Sequence, residues 1–152
     1  MVEDRSSVDL QRFIEAQRET FEQALCELQV GSKRSHWMWF VFPQLEGLGR
    51  SPVAQRFALK SLHEARAYLA HPILGERLRM VTRAVLAHPD RSLLEIFGEP
   101  DDMKFRSSMT LFAVAATADP IPDLESAAIF REALDVFCGG ELDPVTLQRL
   151  AG

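Results

Sequence analysis

Between Leu10 and Leu28 the apolar side chains return at steps of three and four residues, and no other feature narrows the fold as far. Leu10, Phe13, Ile14, Phe21, Ala24, Leu25 and Leu28, with Gln17 among them, draw one stripe along a single helix. Ser7 or Asp9 is placed to cap its start, and Gly31 to supply a left-handed exit. A chain that opens on such a helix must bury the stripe against something. The residues after Gly31 decide whether that partner is a sheet or more helices.

One stretch reads as a strand at first sight. Trp37-Met-Trp-Phe-Val-Phe42 is an unbroken apolar run, and such runs do not reveal their period. With no second strand-like segment to pair with it, the run is expected to form a short buried helix over about residues 35–42. Pro43 removes a backbone donor and stops it. Gln44 to Ser51 is then a loop with Gly47 and Gly49 as its flexible points.

The rest of the chain is punctuated as helices. Ser61-Leu-His-Glu64 and Ser92-Leu-Leu-Glu95 have capping-box spacing, and Pro52 suits the first turn of a helix before Ser61. Pro72 opens a helix with Leu74, Leu78, Val81 and Val85 inward, ending before Pro89. The Ser92 helix closes at Gly98, and Asp101 or Asp102 caps the next, where Phe105, Ser108, Met109 and Phe112 share a side. Asp123 caps a helix closed by Gly139-Gly140, and Asp143-Pro144 starts a last short one. Ala118 to Pro122 is the one mildly linker-like stretch. The expected fold is all-α: eight or nine helices in one domain over residues 1–152.

Composition excludes several functions. The net charge of −5 opposes a non-specific nucleic-acid binder, for which Lys33, Arg34, Arg50 and Arg56 would have to cluster on one face. No apolar run is long enough to span a bilayer, and MVEDRSSVDL has no hydrophobic signal region, which points to the cytoplasm. Cys26 and Cys138 are too few for a disulfide framework or zinc site and are expected to be buried free thiols. His63, His71 and His88 have no ligand spacing, so no metal is expected, and no cofactor motif (P-loop, G-x-G-x-x-G or H-E-x-x-H) occurs.

Chemistry is sought where polar side chains fall on positions that the pattern buries. On a helix, Lys104 lies one turn from Ser107 and Ser108, which puts an ammonium and two hydroxyls on one face. Such a face suits an anion, although serines also return their hydroxyls to the carbonyl four residues earlier. Lysine as a base for Ser107 matches the S-x-x-K enzymes poorly, because the order here is K-x-x-S. The second candidate is Lys33-Arg34-Ser35-His36-Trp37-Met38-Trp39: cations and free amides at a helix start beside indoles that could stack a flat ring. The same tryptophans could equally be core.

Four stretches resemble a bacterial family of unknown function, DUF1810, sometimes labelled calpastatin-like: F-I-E-A-Q, S-H-W-M-W-F-V-F-P-Q-L-E-G-L-G, E-A-R-A-Y-L-A-H-P-I-L-G and I-F-G-E-P-D-D-M-K-F-R-S-S-M-T-L-F. The resemblance covers residues 9–146 and implies a compact all-helical fold, with no catalytic residue to carry over. The calpastatin label does not suit the chain: that inhibitor resembles a disordered, charge-rich polymer, whereas 47% of residues here are apolar and the helices are capped.

The expectation is therefore a small-ligand site where the two segments meet. Trp37 or Trp39 would form a wall, and Lys33, Ser35, His36, Gln44, Lys104, Ser107 and Ser108 would offer donors to an anionic molecule such as a nucleotide, a sugar phosphate or an ADP-ribose-like compound. His36 is the general acid/base candidate, since imidazole titrates nearest neutrality. The rival is a helical interaction module with no small-molecule site, and self-association stays open under both.

Overall fold

A computed structural model describes residues 9–118 and 121–152. Ser7, one of the two expected caps, lies outside the described residues, as do Asp119 and Pro120 of the linker-like stretch. Among the described residues there are helices and no strands; the one β-bridge joins Leu45 to Leu59. The fold is all-α.

The opening stripe belongs to two helices, α1 (Gln11–Arg18) and α2 (Phe21–Val30), rather than one. The break at Glu19-Thr20 lets the stripe serve two partners: α1 packs on α3 (Met38–Val41) and α2 on α6 (Leu74–Leu86). Asp9 accepts from the Gln11 amide at 3.0 Å at the start of α1, and Gly31 closes α2 in the left-handed conformation at φ 87°. His88 reinforces that closure, its Nε2 lying 2.9 Å from the Leu28 carbonyl oxygen and 3.0 Å from that of Gln29. The expected 35–42 helix is only the single turn α3, because Ser35 and the neighbouring amides are held by a carboxylate of α2 instead.

Further along, Ser51 caps α4 (Pro52–Phe57), and Ser61 caps α5 (Leu62–Ala70). The box at Ser61 is half made: Glu64 accepts from the Lys60 amide, one residue early. The box at Ser92 is complete and starts α7 (Leu93–Phe97). Asp123 and Asp143 cap α9 (Leu124–Cys138) and α10 (Pro144–Ala151) as expected.

The centre of the molecule is α8 (Asp101–Thr117), with α5, α7, α9 and α10 packed around it. From Ser107 to Ala116 it is buried on nearly every side, so its interior face is wider than the stripe of Phe105, Ser108, Met109 and Phe112. Phe105 meets Phe42 and Phe97 at ring-centroid distances of 5.2 and 5.0 Å, and this aromatic knot ties α8 to the chain after α3 and to α7. Burying rings of this size supplies much of the drive for folding.

The cysteines depart from expectation. Cys26 is exposed on α2, and Cys138 is half-buried in the last turn of α9. Burial pushes the Cys138 thiol up from its ordinary value, against the pull of Arg106.

Candidate functional site

The two distinctive segments meet. Lys33, His36, Trp39, Phe97, Asp101 and Lys104 are among the residues around a cleft of about 380 Å³, between the loop before α3 and the junction of α7 with α8. The Lys33 amide donates to the Ile96 carbonyl at 2.7 Å, which fastens this loop to the end of α7. Phe97, held in the aromatic knot, is part of the cleft wall.

The polar centre of the cleft is a bridge. Asp101 receives the Lys33 ammonium at 2.9 Å on one carboxylate oxygen and the Lys104 ammonium at 3.1 Å on the other. Each ammonium also lies over an indole: Lys33 Nζ is 5.0 Å from the ring centre of Trp37, and Lys104 Nζ is 3.8 Å from that of Trp39. Aromatic faces attract cations, and half-buried pairs gain about 0.5–2 kcal/mol. The side chain of Lys33 is 7% exposed, and those of Asp101 and Lys104 are 18% and 20% exposed, so the bridge deepens inward from the cleft.

The expectation that Asp101 or Asp102 caps α8 fails. Pro100 occupies the N-cap position, no side chain caps the helix, and Asp101 sits one place inside the first turn. Glu99 and Asp101 both line the cleft, so acceptors stand there beside the expected donors. The missed signal is the proline: E-P-D-D puts a residue without a capping side chain where an aspartate would serve, which frees Asp101 for the lysines.

Other expected site residues are less available or placed elsewhere. Trp37 stands in the cleft wall but is fully buried, with Lys33 over its ring and its Nε1–H donated to Glu27 Oε1 at 2.9 Å, so it is not open to a stacked ring. Ser35 gives its hydroxyl to the same carboxylate. Burial works to raise the pKa of Glu27, but hydrogen bonds from Ser35, the Arg34 amide, Gln23 and Trp37 together lower it to about 2. Gln44 is buried and is not among the cleft's lining, its backbone carbonyl accepting from the Leu59 amide at 2.9 Å. Ser107 turns away, donating to the Met103 carbonyl at 3.2 Å and the Asp143 carboxylate at 3.1 Å, while Ser108 is sealed within the core. The Lys104 ammonium is engaged by Asp101 and Trp39 rather than by either serine. The site residues that converge on the cleft are Lys33, Lys104, Trp39, the buried Trp37 and the exposed His36.

Among the described residues no helix is long and apolar enough to cross a membrane, and no group of His, Cys, Asp and Glu is arranged to hold a metal ion. Comparison with curated proteins finds no match. Among solved structures, the conserved hypothetical protein Rv1873 from Mycobacterium tuberculosis is similar over 95% of this chain and 97% of its own, at 47% sequence identity and a TM-score of 0.87. The family model described as "Protein of unknown function (DUF1810)" matches residues 7–150, and the chain belongs to that family.

Proposed function

We propose that the cleft binds a small phosphorylated or carboxylated polyol, of the sugar-phosphate or mononucleotide class. The observation that carries this reading is Lys104, whose ammonium lies 3.8 Å over Trp39 and 3.1 Å from Asp101 at the wall of the cleft. A partly exposed ammonium with a fixed position can give a charge-assisted hydrogen bond to an oxyanion at little ordering cost. Glu99 and Asp101 offer acceptors for hydroxyl groups on the same ligand.

The cleft volume of about 380 Å³ lies within the range of small-ligand pockets. It suits a sugar phosphate better than the larger ADP-ribose-like molecule. Recognition rests on the polar groups rather than on stacking, since Trp37 is sealed and Lys104 covers a face of Trp39. If the bound molecule is transformed, His36 in the lining is the general acid/base candidate.

Thermal shift against a panel of sugar phosphates and nucleoside monophosphates at low salt tests the reading. Stabilisation by phosphorylated members, lost in Lys104→Ala, is expected. No shift from any member, or equal shifts in the variant, would overturn it.

The rival reading, an interaction module, rests on Ile121 and Leu124, which are 80% and 71% exposed around the start of α9. It gives no reason for two lysines to be paired to one carboxylate on indole faces, and the cleft reading is preferred on that ground.

A further inference from the structure

The same bridge carries an inference about how the cleft is controlled, and it rests on the cleft being an oxyanion site. We infer that Asp101 is an internal stand-in for the ligand's oxyanion, held between Lys33 and Lys104 until an incoming phosphate displaces it.

Three observations support this. The two carboxylate oxygens of Asp101 each take a different ammonium, at 2.9 and 3.1 Å, which is how a phosphoryl group with two accepting oxygens would sit between them. The ammoniums do not depend on Asp101 for their places, because Trp37 and Trp39 each hold one at 5.0 and 3.8 Å from the ring centre. Asp101 also has no capping role: Pro100 is the N-cap of α8 and no side chain caps the helix, so the carboxylate can swing toward solvent without removing a cap.

The energetic consequence has a definite sign. A phosphate entering between the lysines meets the charge of Asp101 and must exchange with it, so the carboxylate weakens binding while keeping two cations paired in the free protein. A neutral side chain at position 101 leaves the lysines on their indoles with no internal anion. Phosphate should then bind more tightly.

Calorimetric titration of inorganic phosphate and of a sugar phosphate into the full chain tests this with four proteins: wild type, Asp101→Asn, Asp101→Ser and Asp102→Asn. The last makes the same change in net charge one residue along the turn. Removing a like charge at contact distance should tighten phosphate binding by about 10-fold or more at position 101 and by less than about 2-fold at position 102. Binding that appears only in the position-101 variants also supports the exchange. Wild-type binding that is unchanged or weakened by both position-101 substitutions, or tightened equally by Asp102→Asn, overturns the stand-in role and leaves the cleft as a binding site. Silence from all four proteins overturns the oxyanion site itself, and the stand-in with it.

Discussion

The indole N–H of Trp37 donates to Glu27 Oε1 at 2.9 Å inside the core, so one of the two indoles expected to wall the binding site is tied into a buried hydrogen-bond knot. Glu27 Oε1 also accepts from the amides of Arg34 and Ser35 at 2.8 and 3.1 Å, and Oε2 accepts from Gln23 at 2.7 Å and from the Ser35 hydroxyl. One carboxylate of α2 thereby shapes the loop that carries Lys33 and His36.

Replacing this carboxylate has a pH signature. In Glu27→Gln an NH2 group faces donors that the carboxylate accepted, with a loss of about 1–3 kcal/mol at neutral pH. The folded-state pKa of about 2 lies below the ordinary 4.5, so the carboxylate's contribution is present above 4.5 and is lost as pH falls toward 2. Urea unfolding of wild type and variant should show a gap at pH 7 that narrows across that window. A gap independent of pH would mean that packing, not charge, sets the role of Glu27.

Lys104 separates ligand binding from stability. Its ion pair with Asp101 is partly exposed and its indole contact is single, so Lys104→Ala should cost no more than about 1–2 kcal/mol in unfolding free energy. Phosphate affinity should fall by about 10-fold or more, since the removed group is the cleft's more exposed ammonium. Lys104→Arg keeps the charge but spreads it over a wider fork, and should recover stability more fully than affinity. Paired denaturation and calorimetry measure both quantities.

Gly75, in the first turn of α6, lies against the last turn of α5. A Cβ built on it would lie 2.0 Å from the Leu69 carbonyl oxygen, a backbone atom that no rotamer change can move. In a helix, alanine is otherwise favoured over glycine by about 1 kcal/mol, so propensity and sterics pull in opposite directions. Overlap of this depth wins. Gly75→Ala should lose about 3 kcal/mol or more, read as a lower urea midpoint with the slope unchanged. A stabilised variant would show that the helices can separate at no cost.

Residue order makes some of these contacts legible and hides others. Capping at Ser92, Asp123 and Asp143, and the exit at Gly31, can be read because each is a contact within one turn. The break at Glu19-Thr20 cannot, since the stripe continues through it and only the separate partners α3 and α6 require it. Of the expected site residues, Lys33, His36, Trp37, Trp39 and Lys104 share the cleft, with Trp37 fully buried in its wall, whereas the two serines face elsewhere. An apolar run hides which way each side chain points. Asp101 has a different task from the expected one, because a carboxylate at a helix start looks the same whether it caps amides or pairs with a lysine 68 positions away.

Ser107 and Ser108 give opposite expectations from adjacent positions. Ser107 holds α8 to the start of α10 through its bond to Asp143, whose Oδ2 also accepts from the Thr146 amide and hydroxyl at 3.1 and 2.6 Å. Ser107→Ala removes one donor from that carboxylate and should cost about 1 kcal/mol. Ser108 is fully buried, and its hydroxyl oxygen has no hydrogen-bond partner. An alanine there removes an unsatisfied polar atom and leaves a gap smaller than a methyl group, so Ser108→Ala should be neutral or stabilising by up to about 1–2 kcal/mol. Neither change should alter phosphate affinity, because neither hydroxyl reaches the cleft. A loss of affinity in Ser108→Ala without a loss of stability would return that hydroxyl to the binding site and extend the site into the interior face of α8.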